Sequence, residues 1–174
     1  MTVYNGGPYL ATSIESMLAQ TYQSFQFLIV DDSSTDNSRE IVKLYPDQRI
    51  RLIPLVKNVG QTAALNLGLA QAVTPWIARM DADDYSAPTR LEEQMNALES
   101  DPSLRCVGSF GWAFRDDPKL VDQVIPMPLT HEEIKRASLS DWALIHGSIV
   151  ISREALLEVG GYDERYRYAA DTEM

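Results

Sequence analysis

Strand-like apolar runs alternate with helix-like segments through the first half of the chain, and this alternation restricts the possible folds more than any other feature. Residues 25–30 are apolar except for Gln26, residues 50–55 are apolar except for Arg51, and segments with apolar residues at helical spacing lie between and around them. A helix between two strands returns the chain to the same end of a sheet, so that the strands become parallel. The pattern therefore predicts an α/β fold with a mainly parallel, Rossmann-like central sheet, flanked by helices and joined by right-handed crossovers.

Helix boundaries are marked by residues with known positional preferences. Pro8 suits the first position of a helix, and we interpret Asp36, in a segment rich in capping residues, as the N-cap of the second helix. Thr130 and Glu133 have the spacing of a capping box and predict a later helix. A third helix is expected over residues 62–72. The residues expected on one side of it are Ala63, Leu67 and Ala70.

An apolar run at residues 76–80 ends abruptly in a cluster of acids. The acids are Asp81, Asp83 and Asp84. We expect the run to be a buried parallel strand, because strands covered on both faces are continuously apolar. Ligands of parallel α/β sheets bind outside the carboxyl ends of the strands. Tyr4 and the pair Asp31-Asp32, which follow earlier strands, would then meet the acids at one edge of the sheet.

Three carboxylates in one cleft repel each other and lose water, and a divalent cation relieves both effects. Oxygen ligands favour Mg²⁺ or Mn²⁺, and Mg²⁺ commonly takes one or two carboxylates and leaves its other positions to water and phosphate oxygens. The plainer alternative is that Asp84 caps the next helix while the other acids are solvated. The convergence of several strand ends favours the metal–phosphate site.

Net charge and composition limit the class of ligand. A formal net charge of −10 argues against sequence-independent binding to nucleic acid or anionic lipid, because both need a basic face. The 174 residues suit one domain, and the single cysteine, Cys106, cannot form an internal disulfide. No apolar run approaches the ~18 residues of a membrane span. We therefore expect a cytoplasmic protein and leave open a homo-oligomer and peripheral association with the inner face of the membrane.

Short motifs spread over nearly the whole chain have the order and spacing of a known family. They are Thr2-Val3-Tyr4-Asn5, Ser16-Met17-Leu18-Ala19-Gln20-Thr21-Tyr22, Val30-Asp31-Asp32-Ser33-Ser34-Thr35-Asp36, Asn66-Leu67-Gly68-Leu69-Ala70, Met80-Asp81-Ala82-Asp83-Asp84 with Pro88 and Arg90-Leu91, His146-Gly147-Ser148, Gly160-Gly161-Tyr162-Asp163 and Ala169-Ala170-Asp171. Together they resemble the inverting family 2 glycosyltransferases. The resemblance implies a GT-A type fold and a nucleotide-diphosphate sugar as donor.

The resemblance also implies roles for residues of the nucleotide site. Thr2 and Tyr4 match the positions that hold the nucleobase, the tyrosine by offering its ring for stacking. Asp32 matches the acid that accepts a hydrogen bond from a base N–H, and its neighbour Asp31 is a weaker candidate. Leu65 stands where many relatives have arginine, so that one diphosphate contact is expected to be absent.

The remaining roles concern the metal and the acceptor. Asp81 matches the first acid of the Asp-x-Asp motif, near ribose and metal, and Asp83 matches the metal ligand that bridges the donor diphosphate. Asp171 matches the general base, which takes the proton of the acceptor hydroxyl as the anomeric carbon is attacked. The cation, Mn²⁺ or Mg²⁺, would stabilise the departing diphosphate. The residues left without a role are Lys57, Arg79 and His146.

The expectation is a single glycosyltransferase domain over residues 1–174, with a nucleotide-binding part at about 1–100 and an acceptor-side part at about 101–174 that is incomplete at its C-terminus. It would move a hexosyl or N-acetylhexosaminyl group from a UDP-sugar to a carbohydrate or lipid-linked hydroxyl, as in polysaccharide biosynthesis. Relatives carry apolar strand residues before the position of Thr2 and continue past that of Met174, so donor binding is predicted and turnover is left open. The alternatives are a nucleotide-sugar binding module and a sugar-phosphate nucleotidyltransferase.

Overall fold

The computed structural model describes residues 1–115, 118, 120–139 and 143–166. The elements of the first half are β1 (Thr2–Val3), α1 (Gly7–Leu18), β2 (Phe27–Asp31), α2 (Ser38–Lys43), β3 (Ile50–Pro54), α3 (Gln61–Gln71) and β4 (Trp76–Ala78). Those of the second half are α4 (Arg90–Ser100), β5 (Cys106–Val107), β6 (Gly111–Ala113), β7 (Gln123–Ile125), α5 (His131–Ala137), a 3₁₀ turn (His146–Ser148), β8 (Val150–Ser152) and α6 (Arg153–Glu158).

Three strands of the first half form the predicted parallel sheet, in the order β1-β2-β3. Val3 pairs with Asp31, and Asp31 pairs with Pro54, so the three carboxyl ends lie side by side. Ile29 and Val30 of the central strand are fully buried because helices cover the sheet. The expected parallel α/β arrangement is therefore confirmed for these strands, and the loops that follow them share one edge.

The prediction for residues 76–80 was wrong in two respects. The strand ends at Ala78, and it pairs antiparallel with β8, with Trp76 opposite Ser152 and Ala78 opposite Val150. β4 belongs to a second sheet of order β4-β8-β5, and Ala78 is exposed. A short apolar run predicts a strand that is buried in part, but it does not predict whether the strand pairs parallel or antiparallel with its neighbour.

The main core lies between α1 and the parallel sheet. Leu10, Ile14 and Met17 form the buried stripe of α1 and pack in one cluster with Val3 and Ile29. These residues recur at the spacing of one helix face, as the sequence indicated. Burial of this stripe fixes α1 above the strands whose carboxyl ends carry the predicted site residues.

The apolar face predicted for α3 was wrong. Leu67 and Ala70 are exposed. The buried residues of this helix are Thr62, Ala64, Leu65 and Leu69. Leu65 and Leu69 pack against Leu156, while the hydroxyl of Thr62 donates a hydrogen bond to a backbone carbonyl. Three of these four buried residues are apolar, so α3 has an apolar face, but it is not the one formed by Ala63, Leu67 and Ala70.

Two capping predictions have different outcomes. The N-cap of α2 is Asn37, and the carboxylate of Asp36 accepts hydrogen bonds from the backbone N–H of Ser38 and of Gly7, each at 3.0 Å. Asp36 thus joins the first residues of α1 and α2 instead of capping one helix. The capping box at Thr130 is confirmed. Within the part of the chain that the structure describes, no helix is long and apolar enough to cross a membrane.

Candidate functional site

Asp31, at the end of β2, is a structural residue. Its carboxylate is fully buried, forms an ion pair with Arg39 and accepts a hydrogen bond from the backbone N–H of Ser34. Arg39 also donates to the carbonyl of Leu55 at 2.8 Å, so that the pair ties the ends of β2 and β3 together. These contacts use the Asp31 carboxylate to stabilise the fold. Its role as the weaker nucleobase candidate stays a prediction.

Asp32 lies beside it and organises the turn that starts α3. Its side chain is buried (3% exposed), and its two oxygens accept the backbone N–H groups of Val59 at 2.7 Å and Gly60 at 2.9 Å. Gly60 has a φ of 91°, a left-handed conformation that favours glycine. Because a carboxylate has about four acceptor positions, Asp32 retains capacity for one more donor.

The acids that follow β4 converge on Gly147. A Cβ atom at Gly147 would lie 2.5 Å from Oδ2 of Asp84 and 3.1 Å from Oδ2 of Asp81, so both carboxylates face the backbone at this glycine. Although Asp84 is exposed as a residue, its carboxyl group is crowded against this backbone. Burial raises the pKa of Asp84, and the negative charges of Asp81 and Asp83 raise it further. The two like charges therefore meet where a cation would relieve their repulsion.

Asp81 and Asp83 have different surroundings. Oδ1 of Asp81 lies 2.6 Å from Nη2 of Arg79 and 3.5 Å from Nε2 of Gln61. Asp83 is exposed, and within the described part of the chain it makes no hydrogen bond or ion pair. No group of three potential metal ligands is assembled among the described residues, but Mg²⁺ commonly uses only one or two carboxylates. Asp83 is thus the acid with oxygens available to a cation.

The loop at the start of α3 links the two acidic positions. Asp32 holds the N–H of Gly60, and the next residue, Gln61, reaches toward Asp81. A cavity of about 250 Å³ opens beside this loop. Its lining residues are Asn58, Val59, Gly60, Thr62, Ala63 and Glu164. The cavity lining includes the turn held by Asp32 but none of the residues predicted to bind base or metal, so that a single site for these residues stays a prediction.

The residues predicted to hold the nucleobase lie at the end of β1. Tyr4 is 53% exposed, and Thr2 is half-buried within the strand. The next residue, Asn5, has a φ of 54° and accepts a hydrogen bond from the N–H of Thr35 at 2.8 Å. This contact anchors the loop and leaves the Tyr4 ring accessible to a flat ligand. The predicted general base, Asp171, lies outside the described residues.

A buried network behind the acids was missed by the sequence analysis, which assigned no role to Arg79 or His146. The Arg79 side chain is 3% exposed and donates to Asp81 and, at 2.6 Å, to the carbonyl of Met80. Its Nη2 also lies 3.4 Å from Nδ1 of His146, whose Nε2 lies 3.2 Å from the hydroxyl of Tyr162. The signal available in the sequence was an arginine inside an apolar run, two residues before an acid.

Arg90 supports the same region from α4. It donates to the carbonyls of Arg79 at 3.1 Å and of Gly147 at 3.3 Å, and its Nε donates to the hydroxyl of Ser86. Burial lowers the pKa of Arg90 to about 10, and the charge of Asp84 opposes this shift. Arg90 stays protonated at neutral pH and holds residues 79–87, here called the acid loop, against the backbone of Gly147.

Comparisons of sequence agree on one family. The family model described as "Glycosyl transferase family 2" matches residues 1–160. An uncharacterized glycosyltransferase of Methanocaldococcus jannaschii is 31% identical over 169 residues, which are 95% of this chain and 58% of that protein. The putative glycosyltransferase EpsE of Bacillus subtilis is 41% identical over 112 residues, which are 63% of this chain and 40% of that protein.

Solved structures show the same fold. A crystal structure of S. aureus TarS 1-349 in complex with UDP-GlcNAc has a TM-score of 0.74 and 19% identity, and the match covers 98% of this chain and 49% of that one. The mannosyltransferase PcManGT from Pyrobaculum calidifontis, in complex with GDP-Man and Mn²⁺, has a TM-score of 0.71 and 22% identity, and the match covers 99% and 48%. The GT-A type fold implied by the resemblance is thereby confirmed.

The first relatives by sequence are longer than this chain, which spans between 40% and 58% of the length of the two described above. The sequence motifs, the family model and the fold nevertheless agree over almost all of the residues that can be compared. The chain belongs to glycosyltransferase family 2.

Proposed function

We propose that the chain binds the donor in a metal-dependent, inverting glycosyltransferase that moves a sugar from a UDP-sugar to a hydroxyl of a carbohydrate or lipid-linked acceptor. The observation that carries the proposal is the link between two acidic positions that are distant in sequence. Asp32 holds the turn at Gly60, and the following Gln61 approaches Asp81 in the acid loop. A nucleoside diphosphate with a divalent cation fits this link, because its base can hydrogen-bond at Asp32 while the cation offsets the repulsion between its anionic oxygens and the acids at Asp81.

The base would bind at the end of β1. The exposed ring of Tyr4 offers a face for stacking, and Asp32 has acceptor capacity for an N–H of the base. Thr2 would contribute a hydrogen bond from the same strand. Two structural neighbours were solved with UDP-GlcNAc and with GDP-Man. They support a nucleotide sugar as donor, and the preference for UDP is part of this proposal.

The acid loop fits a divalent cation. Asp83 is exposed and has no partner in the described chain, and the Asp81 carboxylate turns one oxygen toward Arg79 and the other toward Gly147. Carboxylate oxygens of this kind suit Mg²⁺ or Mn²⁺. When bound, the cation would supply the positive charge that stabilises the departing diphosphate. Leu65 is packed in the core, so its position offers no positive charge that could share this task.

The acceptor side begins where α3 holds the segment that leads to residues 167–174. The side-chain amide of Asn66 donates to the carbonyl of Tyr162 at 2.8 Å and accepts its N–H at 2.9 Å, as a paired strand would. The hydroxyl of Thr62 donates to the carbonyl of Tyr166 at 2.5 Å. We propose that Asp171, which follows this anchored segment, removes the proton of the acceptor hydroxyl. A carboxylate opposite the leaving group can do so without a covalent intermediate, and the anomeric centre is then inverted.

Calorimetry with the parent chain and Asp83→Ala tests the donor site. We expect UDP or UDP-GlcNAc to bind the parent more tightly with Mn²⁺ than without it, and we expect this Mn²⁺ effect to be lost in Asp83→Ala. Glu99→Ala removes an exposed acid from α4 and is the control for net charge, with unchanged binding expected. Equal, Mn²⁺-dependent binding by the parent and Asp83→Ala would contradict the assigned metal role.

Catalysis needs a separate measurement, because binding alone also fits the alternative of a binding module without activity. Release of free sugar from UDP-GlcNAc, measured with the parent and Asp171→Asn, tests the general base. We expect Asp171→Asn to bind the donor as the parent does and to lose turnover. Turnover that is unaffected by this substitution would remove Asp171 from the mechanism.

A further inference from the structure

A buried hydroxyl of α1 holds the acid loop on both sides of Asp83. The Ser13 side chain is 1% exposed, and its Oγ lies 2.8 Å from the carbonyl oxygen of Ala82 and 2.6 Å from that of Asp84. A serine hydroxyl has one proton to donate, so the two carbonyls share it. The backbone before and after Asp83 is therefore fixed to one atom of the helix.

Two further polar side chains of α1 and its C-terminal extension continue this contact. The hydroxyl of Ser16 accepts the N–H of Ser86 at 3.0 Å, and the amide of Gln20 donates to the carbonyl of Ala87 at 2.7 Å. Both residues are buried, and they follow Ser13 at helical spacing, so that all three face the loop. Buried polar groups cost free energy when they lose their partners. Each of these bonds therefore constrains the loop.

The amino end of α1 is tied to the other side of the proposed donor site. The N–H of Gly7 donates to the carboxylate of Asp36, and the N–H of Gly6 donates to the hydroxyl of Ser38, both at 3.0 Å. Tyr4 lies immediately before this helix. One rigid helix is thus attached at its start to the loop after β2 and at its middle to the acid loop.

We propose that Ser13 is a positioning residue for Asp83, which sets the place of the metal relative to the nucleobase. The inference rests on the proposed function, since it assumes that Asp83 binds the cation. Ser13 does not touch the metal or the donor; it acts through the two carbonyls next to Asp83. Outer contacts that orient metal ligands typically contribute about 10- to 100-fold to metal affinity. Because Ser13 orients the backbone instead of the carboxylate itself, we expect the lower end of this range.

The test measures Mn²⁺ affinity by electron paramagnetic resonance, with UDP in one arm and GDP in a second. Ser13→Ala is expected to raise the dissociation constant for Mn²⁺ about tenfold. Ser13→Thr retains the hydroxyl and is expected to restore most of the affinity. Ser13→Cys keeps a side chain of similar shape with a weaker donor, and it replaces the alanine variant if circular dichroism shows that the latter does not fold.

Ser152→Ala is the matched control, because it removes another buried serine hydroxyl, which accepts the backbone N–H of Ala155 at the start of α6 and lies outside the acid loop. Its Mn²⁺ affinity is expected to stay within about twofold of the parent. Equal losses in Ser13→Ala and Ser152→Ala would show general destabilisation and overturn the inference, as would a Ser13→Ala chain with parental affinity. If the parent itself binds no Mn²⁺ in either arm, the metal step of the proposed function fails and this inference falls with it.

Discussion

In a chain that begins at Met1, the α-amino group makes the stability of the fold depend on pH in a way that one chemical modification can remove. Although Met1 is partly exposed as a residue, its amino nitrogen is buried and donates to the carbonyl of Leu28 at 3.0 Å. Burial, together with the positive charge of Arg79, lowers the pKa of this amino group from 8.0 to about 5. The folded protein therefore favours the neutral amine, whereas the unfolded chain binds a proton below pH 8.

The sign and size of the effect follow from these two pKa values. Above about pH 8 the amine is neutral in both states and costs nothing; as the pH falls toward 5, the unfolded state gains a proton and the folded state loses stability. Three pKa units correspond to about 4 kcal/mol at the acid limit. The loss amounts to about 3 kcal/mol at pH 5.5 and only about 0.2 kcal/mol at pH 8.5.

Acetylation of the α-amino group abolishes this titration and retains an N–H for the carbonyl of Leu28. A cavity of about 320 Å³, lined in part by Met1, Trp76 and Ile77, has room for the added acetyl group. We expect urea denaturation to show the acetylated chain more stable by about 3 kcal/mol at pH 5.5 and by less than about 0.5 kcal/mol at pH 8.5. A stability difference that is the same at both pH values would refute the reasoning, because it would show that the amino group is hydrated in the folded protein.

Two further substitutions test the site and the core. Gly147→Ala would place its Cβ 2.5 Å from the Asp84 carboxylate, so we expect the Mn²⁺ affinity, measured by electron paramagnetic resonance, to fall about tenfold. Gly68→Ala is the control: its Cβ would lie 3.4 Å from its nearest neighbour, and the Mn²⁺ affinity should be unchanged. Leu10→Ala empties a fully buried position and should cost about 3 kcal/mol in urea denaturation, against less than about 0.5 kcal/mol for Leu44→Ala at an exposed one. Parental Mn²⁺ affinity in Gly147→Ala, or equal losses for the two leucines, would contradict these expectations.

The parts of the fold that the sequence predicted are those determined by local pattern. The stripe of Leu10 and Ile14 and the run that became β2 lie where helical and strand periodicity indicated. Helix and strand alternate there within short distances, so the parallel direction followed from chain connectivity. β4 failed this reasoning, because its partner β8 lies near the other end of the described chain, and no local pattern at Trp76 reports that pairing.

The candidate site likewise has features that the sequence predicted and features that it did not. The order of the motifs predicts that Asp32 and Asp83 share one site, although the strands before them belong to different sheets, β2 to the parallel sheet and β4 to the antiparallel one. The sequence did not reveal that Asp32 is already engaged by the N–H groups of Val59 and Gly60. A carboxylate at a loop attracts whichever donors the fold brings near, and those donors come from a turn that is remote in sequence. Its role toward a ligand is therefore added to a structural role and does not replace it.

Polar residues on and just after α1 are a sequence signal for the contact between this helix and the acid loop. Ser13 and Ser16 lie on α1, and Gln20 follows its last residue, Leu18, at helical spacing, whereas the helix was predicted from its apolar stripe alone. Small polar residues on an inward face need partners, and a loop rich in backbone carbonyls supplies them. A helix with both kinds of residue can hydrogen-bond to a loop and also pack against a sheet. Ser13, Ser16 and Gln20 thus support residues 82–87, the segment that carries Asp83 and Asp84.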